Sequence, residues 1–260
     1  MENLQKKKMV LEIKNLEKSF GGVKAVSNCN FKIEENKITT LIGPNGAGKT
    51  TVFNLITGLE KPDKGHVHFK GQDILGLEVY KISRLGLTRT FQLIRLFPKL
   101  TALENLLLVK SREIENLRTT ILNPRKVKDT ENANKERCLH FLKLVGLEEK
   151  KNSLAENLSF GQQKLLEIAR ALATEGSLIL LDEPVGGVNP KLRDNIREIL
   201  IKIKEEGRTL FIIEHDMNFV MNISDKVIVM DEGTVICEGS PKEVQNNKKV
   251  LEAYLGKWKY

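Results

Sequence analysis

The stretch Ile38-Thr39-Thr40-Leu41-Ile42-Gly43-Pro44-Asn45-Gly46-Ala47-Gly48-Lys49-Thr50 decides how this chain is read. Its first five residues form a strand-like apolar run, and Thr51-Val52-Phe53-Asn54-Leu55-Ile56 after it reads as the start of a helix. Between them lies G-x-x-x-x-G-K-[ST], in the strand-to-helix context that gives this pattern its meaning. Glycines at 43, 46 and 48 let the backbone curl into a nest of inward N–H groups, and Pro44, Asn45 and Ala47 complete the turn. The helix N-terminus adds partial positive charge. Lys49 then reaches β- and γ-phosphates, and the Thr50 hydroxyl ligates Mg²⁺, with Thr51 beside it. The ligand implied is a nucleoside triphosphate.

Composition narrows the setting. At 260 residues the chain is long enough for a full α/β domain with a well-buried core, or for one domain carrying a subdomain. Its 40% hydrophobic and 29% charged residues describe an ordinary soluble protein. No apolar run approaches the roughly 18 residues of a membrane span. The opening Met1-Glu2-Asn3-Leu4-Gln5-Lys6-Lys7-Lys8 lacks the apolar segment of a signal peptide. Cys29, Cys138 and Cys237 are few and far apart, which argues against disulfides and a cysteine zinc site and for a cytoplasmic location. The net charge of +8 is scattered and only 5% of residues are aromatic, so nucleic acid is not the expected partner. His66 and His68 fall on one face of a strand, read as a solvated sheet edge without nearby acidic ligands.

Along the chain, Val10–Lys14 and Cys29–Ile33 alternate as half-buried strands about a Gly21-Gly22 turn, and His66–Gly71 returns as a strand. From Leu103 to Leu147 the period is helical, with Cys138, Phe141, Leu142 and Val145 forming a stripe and the polar segment 111–135 forming a surface excursion. The strand–helix alternation resumes at Leu178–Leu181, a helix at Ile196–Ile203 and Leu210–Ile213. Lys226–Met230 and Thr234–Cys237 read as a hairpin, and Ser240-Pro241-Lys242-Glu243 as a capping box that opens a helical tail. The fold class expected is α/β: a P-loop NTPase core with an N-terminal antiparallel β-subdomain and an inserted α-helical subdomain. The expected segments are 1–92 for the β-subdomain and first core part, 93–157 for the helical insertion, 158–240 for the second core part and 241–260 for the tail.

Two further patterns carry chemistry. The buried run Leu178–Leu181 ends in Asp182-Glu183, where one carboxylate can hold Mg²⁺ and the next can orient or deprotonate the attacking water. Leu158-Ser159-Phe160-Gly161-Gln162-Gln163 precedes an amphipathic helix over Lys164–Thr174, with Ser159 as N-cap and Gly161 permitting a close approach. Together with Gln92 in Arg89-Thr90-Phe91-Gln92 and His215 in Ile213-Glu214-His215-Asp216, these motifs follow one another in the order of the ATP-binding-cassette (ABC) ATPases. The chain resembles that family over essentially its whole length.

The resemblance implies roles. Glu183 is the catalytic base, His215 bonds the γ-phosphate, and Gln92 contacts the metal or attacking water alongside Thr50 and Asp182. Phe20 stacks on adenine, and Ser159, Gly161 and Gln162 complete the ATP site of an opposing subunit in a head-to-tail dimer. Gly186-Gly187-Val188-Asn189 matches the loop that crosses that dimer. Three departures stand out: Phe160 where many members have Gly, Phe20 for the commoner Tyr, and GGVN in place of SALD.

Within the family, Arg89–Phe97, Leu100–Leu106, Asp182–Pro190 and the tail Glu243–Gly256 are similar to the ATPases of branched-chain amino acid uptake systems. The insertion after Ser111 resembles the larger of their two paralogous ATPases. That resemblance implies a second ATPase subunit, identical or paralogous, integral membrane permeases, an extracytoplasmic solute-binding protein, and a place on the inner membrane face. Sister branches serve urea or amide uptake and lipid export, and single cassettes of iron–sulphur assembly are a further alternative.

Overall fold

The computed structural model describes residues 8–90, 96–110 and 124–255. It divides into two compact units, one of residues 1–89, 177–183 and 200–260, the other of residues 90–176 and 184–199.

The first unit holds both sheets. Strands β1 (Met9–Phe20) and β2 (Val23–Glu34) pair antiparallel about Gly21 and Gly22, whose φ values of 52° and 86° suit a tight hairpin turn. They join β4 (Lys64–Phe69) and β5 (Gln72–Asp73) in the order β2-β1-β4-β5. The larger sheet contains β3 (Ile38–Ile42), β6 (Leu87–Arg89), β7 (Leu178–Asp182), β8 (Thr209–Ile213), β9 (Lys226–Asp231) and β10 (Thr234–Gly239) in the order β10-β9-β3-β8-β7-β6. Its strands β9, β3, β8, β7 and β6 run parallel. Every residue of β3, β7 and β8 is buried, as continuous apolar runs demand when both faces are covered.

Helix α1 (Lys49–Ile56) follows β3 and is pinned by aromatic packing: the Phe53 and Phe211 rings lie 4.8 Å apart, and Phe31 meets Phe211 at 5.6 Å. A separate apolar cluster of Ile42, Val220, Val227, Val229, Val244 and Val250 forms where the C-terminal tail meets β3 and β9. The capping box at Ser240 is present and opens the tail, with the Glu243 carboxylate accepting from the Ser240 N–H at 2.7 Å. Tyr254 packs on this cluster, and burial pushes its phenol up to about 12. Cys29, Cys138 and Cys237 are free thiols, and burial raises Cys29 to about 12, leaving it an inert core residue.

The second unit is built on helices α3 (Ala102–Lys110), α4 (Pro124–Leu144) and α5 (Phe160–Ala173), after α2 (Val79–Arg84) in the first unit. It spans more of the chain than the 93–157 segment, taking in α5 and the start of α6 (Pro190–Glu205). The stripe Cys138, Phe141, Leu142 and Val145 is buried. The buried Asn105 amide bonds Phe97 N, Phe97 O, Leu100 O and Thr101 O at 2.9–3.2 Å, so one side chain fixes the turn before α3. Buried Lys110 pairs with Glu175 at 2.6 Å.

The polar segment read as a surface excursion on the helical part lies on α4 from Pro124 onward; residues 111–123 lie outside the described part. One expectation needs correction. His66 does have an acidic neighbour, its Nδ1 lying 2.8 Å from Asp73 Oδ2, since β5 pairs with the His68–Phe69 end of β4; both side chains are exposed. Among the described residues no helix is long and apolar enough to cross a membrane.

Candidate active site

Three parallel strands deliver the site. β3 leads into Gly43, β7 ends at Asp182, and β8 leads into Glu214 and His215. Their ends are level, since Leu41 pairs with Ile213 and Ile213 with Asp182. The ladder runs one step beyond the strands: Glu214 N–H donates to Leu41 O at 3.4 Å and Glu183 N–H to Ile213 O at 3.0 Å. The carboxyl edge of a parallel sheet is where ligands bind in such folds.

The phosphate loop has the backbone its sequence requires. Gly43, Gly46 and Gly48 take φ of 153°, 85° and 93°. A Cβ on Gly43 would sit 2.1 Å from Met230 O, and one on Gly48 2.2 Å from Ala25 O, so backbone contacts exclude any side chain at both. Gly48 is the N-cap of α1 and gives no side-chain cap to the first-turn N–H groups. Lys49 Nζ donates to Gly43 O at 2.8 Å and Pro44 O at 3.0 Å, spanning the loop from inside.

Glu183 and His215 come together at the strand ends. Glu183 holds a left-handed φ of 48°, a rare and strained conformation for a residue with a side chain. Its Oε1 lies 3.6 Å from His215 Nδ1, and His215 is 60% exposed against 26% for Glu183. Phe20, at the end of β1, is exposed, with Lys18 Nζ 5.1 Å from its ring centre, which leaves an aromatic face open for stacking.

Three residues that sequence patterns did not single out belong here. Glu214 is fully buried and its Oε2 accepts from His215 N–H at 3.1 Å, fixing the backbone that carries the histidine. Arg89 Nη2 lies 2.9 Å from Asp182 Oδ2, both side chains being almost wholly buried. Asn54, on α1, accepts from Arg89 Nη1 at 2.7 Å. An apolar residue before His215 or at Arg89 would have changed the pattern little, so only the fold brings these groups together.

In the second unit, Ser159 is the N-cap of α5 in a full capping box: Gln162 N–H donates to Ser159 Oγ at 3.3 Å, and Gln162 Oε1 accepts from Ser159 N–H at 3.0 Å. The Gln162 side chain is thus engaged in the cap. Ser159, Phe160, Gly161, Gly187 and Asn189 line an open groove of about 900 Å³. Asn189 Oδ1 accepts from Leu192 N–H at 2.9 Å, capping α6. Gln92 lies outside the described residues.

The oxygen donors suit Mg²⁺. Among the described residues no group of three or more His, Cys, Asp or Glu is placed to hold a metal. A single carboxylate, Asp182, with the Thr50 hydroxyl is the sparse, hard set that Mg²⁺ accepts when phosphates supply the rest.

The ABC transporter family profile matches residues 26–186, and that of the branched-chain amino acid ATP-binding cassette transporters matches residues 234–257. The chain belongs to the ABC family: it is an ATP-binding cassette and an ATPase. It is 41% identical over 249 residues to the high-affinity branched-chain amino acid transport ATP-binding protein BraF of Pseudomonas aeruginosa, covering 95% of this chain and 98% of that one. Identity to LivG of Escherichia coli, of the same description, is 39% with the same coverage. A crystal structure of the ADP conformation of an ATP-binding cassette of an ABC transporter superposes with a TM-score of 0.83, at 36% identity and 95% and 99% coverage. A dimeric post-hydrolysis cassette bound to ADP and Pi gives 0.73 at 30% identity, with 89% and 98% coverage. Within the family the chain falls in the branch of these branched-chain amino acid transport ATP-binding proteins.

Proposed function

We propose that this cassette powers the uptake of branched-chain amino acids through separate membrane permeases, in a system with an extracytoplasmic binding protein, from the inner face of the membrane. The observation that carries the cargo is the match of the C-terminal 234–257 to the branched-chain amino acid profile, joined to near full-length identity with BraF and LivG. Two cassettes, identical or paralogous, face each other head to tail. Each ATP is held by the phosphate loop of one and by Ser159 and Gly161 of the other.

Adenine stacks on Phe20, and the nest Gly43–Thr51 with Lys49 binds the phosphates. Mg²⁺, held by Thr50, Asp182 and Gln92, would neutralise charge on the β- and γ-oxygens. Glu183 takes the proton of the attacking water, and His215 bonds the γ-phosphate and orients it. ATP binds the closed dimer better than the open one, so binding drives closure and loss of the γ-phosphate permits reopening. Closure turns the helical units and moves the permeases.

Gene deletion tests the reading. Uptake of radiolabelled leucine, isoleucine and valine at low external concentration is expected to vanish and to return with the wild-type gene but not with Glu183→Gln. Unchanged uptake of all three, with urea or amide uptake lost or a lipid defect gained, would reassign the cargo to a sister branch.

A further inference from the structure

Asp182 does not stand alone at the end of β7. Arg89, on the adjacent parallel strand β6, sends its guanidinium to Asp182 Oδ2 at 2.9 Å. The same guanidinium donates through Nη1 to Asn54 Oδ1 at 2.7 Å and lies 5.4 Å from the Phe53 ring centre. Arg89 is 6% exposed and Asp182 4%, so the pair is shielded from water and its geometry is held by packing. Asn54 and Phe53 sit on α1, the helix that begins with Lys49 and Thr50. One planar group therefore ties the carboxylate of β7 to the helix that carries the other proposed metal-side oxygen.

We infer that Arg89, braced by Asn54, is a positioning residue that fixes the direction of the Asp182 carboxylate and so sets the affinity of the nucleotide complex for its divalent cation. The inference rests on the proposed role of Asp182 toward Mg²⁺. Partners of this kind orient metal ligands, and their loss typically weakens metal binding about 10–100-fold. Lysine cannot replace the function: it keeps the charge but has no fork to engage Asp182 and Asn54 together. Arg89→Lys hence separates direction from electrostatics. Arg89→Met would break a buried ion pair and perturb the fold itself.

The test is a Mn²⁺ titration of the full chain with bound ADP, following the free-ion signal by electron paramagnetic resonance. Asp182→Asn is measured beside Arg89→Lys and Asn54→Ala. Expected are unchanged ADP affinity in EDTA, Mn²⁺ affinity down by about tenfold in Arg89→Lys, and a smaller loss in Asn54→Ala. If Arg89→Lys does not fold, Asn54→Ala carries the test, since it keeps the ion pair and removes its brace. Undiminished Mn²⁺ affinity in the folded variants, with a clear loss in Asp182→Asn, overturns the role of Arg89. Undiminished affinity in Asp182→Asn overturns the reading of Asp182 as a metal-side residue. ADP affinity that falls equally with and without metal would mark Arg89 as a fold residue only.

Discussion

Glu183 is asked to be a base while its backbone sits where side chains are disfavoured, and the two properties can be separated by mutation. Its φ of 48° is left-handed, a conformation that costs a residue with a Cβ about 1–2 kcal/mol. Glycine removes that strain but loses roughly 0.5–1 kcal/mol more entropy on folding. Glu183→Gly is therefore expected to be more stable than wild type by roughly 0.5–1 kcal/mol, a rise in Tm of about 1–3 °C for a chain of this size. Glu183→Gln keeps the strained backbone and gains nothing from that relief.

Both variants lose the base, so ATP turnover should fall about 10²–10⁴-fold in each. The assays are nucleotide-free thermal unfolding and phosphate release at saturating ATP and Mg²⁺. Gel filtration of Glu183→Gln with ATP should show a retained dimer, because closure needs binding only. Turnover within tenfold of wild type in Glu183→Gln refutes the base assignment. A Glu183→Gly variant less stable than wild type refutes the strain argument while leaving the chemistry intact.

Two further outcomes concern Lys49 and Ser159. Lys49→Ala removes a charge-assisted phosphate contact worth about 1.5–3 kcal/mol, so ATP affinity measured by fluorescent-analogue displacement should fall roughly 10–100-fold. Ser159→Arg removes the N-cap of α5, costing about 1 kcal/mol in thermal unfolding. It should spare ATP binding by the monomer and abolish hydrolysis; loss of monomer binding as deep as in Lys49→Ala would refute the placing of Ser159 in an opposing site.

The phosphate loop was legible because each residue type answers a local demand. Gly43 and Gly48 cannot carry a side chain against Met230 O and Ala25 O, and that constraint is written in the motif itself. The strands β3, β7 and β8 were legible as unbroken apolar runs, and the Ser159 and Ser240 boxes as four-residue caps. Contacts across long sequence gaps were not. Arg89 and Asp182 are 93 positions apart, and nothing in the periodicity of either strand says that one guanidinium will reach the other's carboxylate. The left-handed backbone of Glu183 was equally hidden, since Glu has no preference for it and only the surrounding strand ends impose it.

Two of the three departures from the family's commoner wording, Phe160 and the GGVN segment, lie in the second unit. Phe160 lies within α5, where no positive φ is required, so glycine is dispensable there. Its exposed ring lies beside the 184–189 segment, and a Cβ on Gly187 would meet Phe160 Cε1 at 3.4 Å, an ordinary van der Waals contact. Gly187 has φ of 73°, so an alanine at that position would be strained. Gly187 is therefore favoured by its own backbone conformation and not by the Phe160 ring. A Cβ on Gly161 would lie 2.4 Å from Leu192 Cδ2, the tip of a flexible side chain on the helix capped by Asn189, which would have to turn aside. Asn189 serves as a helix cap as well as an aspartate would, because either side chain offers an oxygen to the Leu192 N–H. Ser159 and Gly161 line the open groove beside these residues.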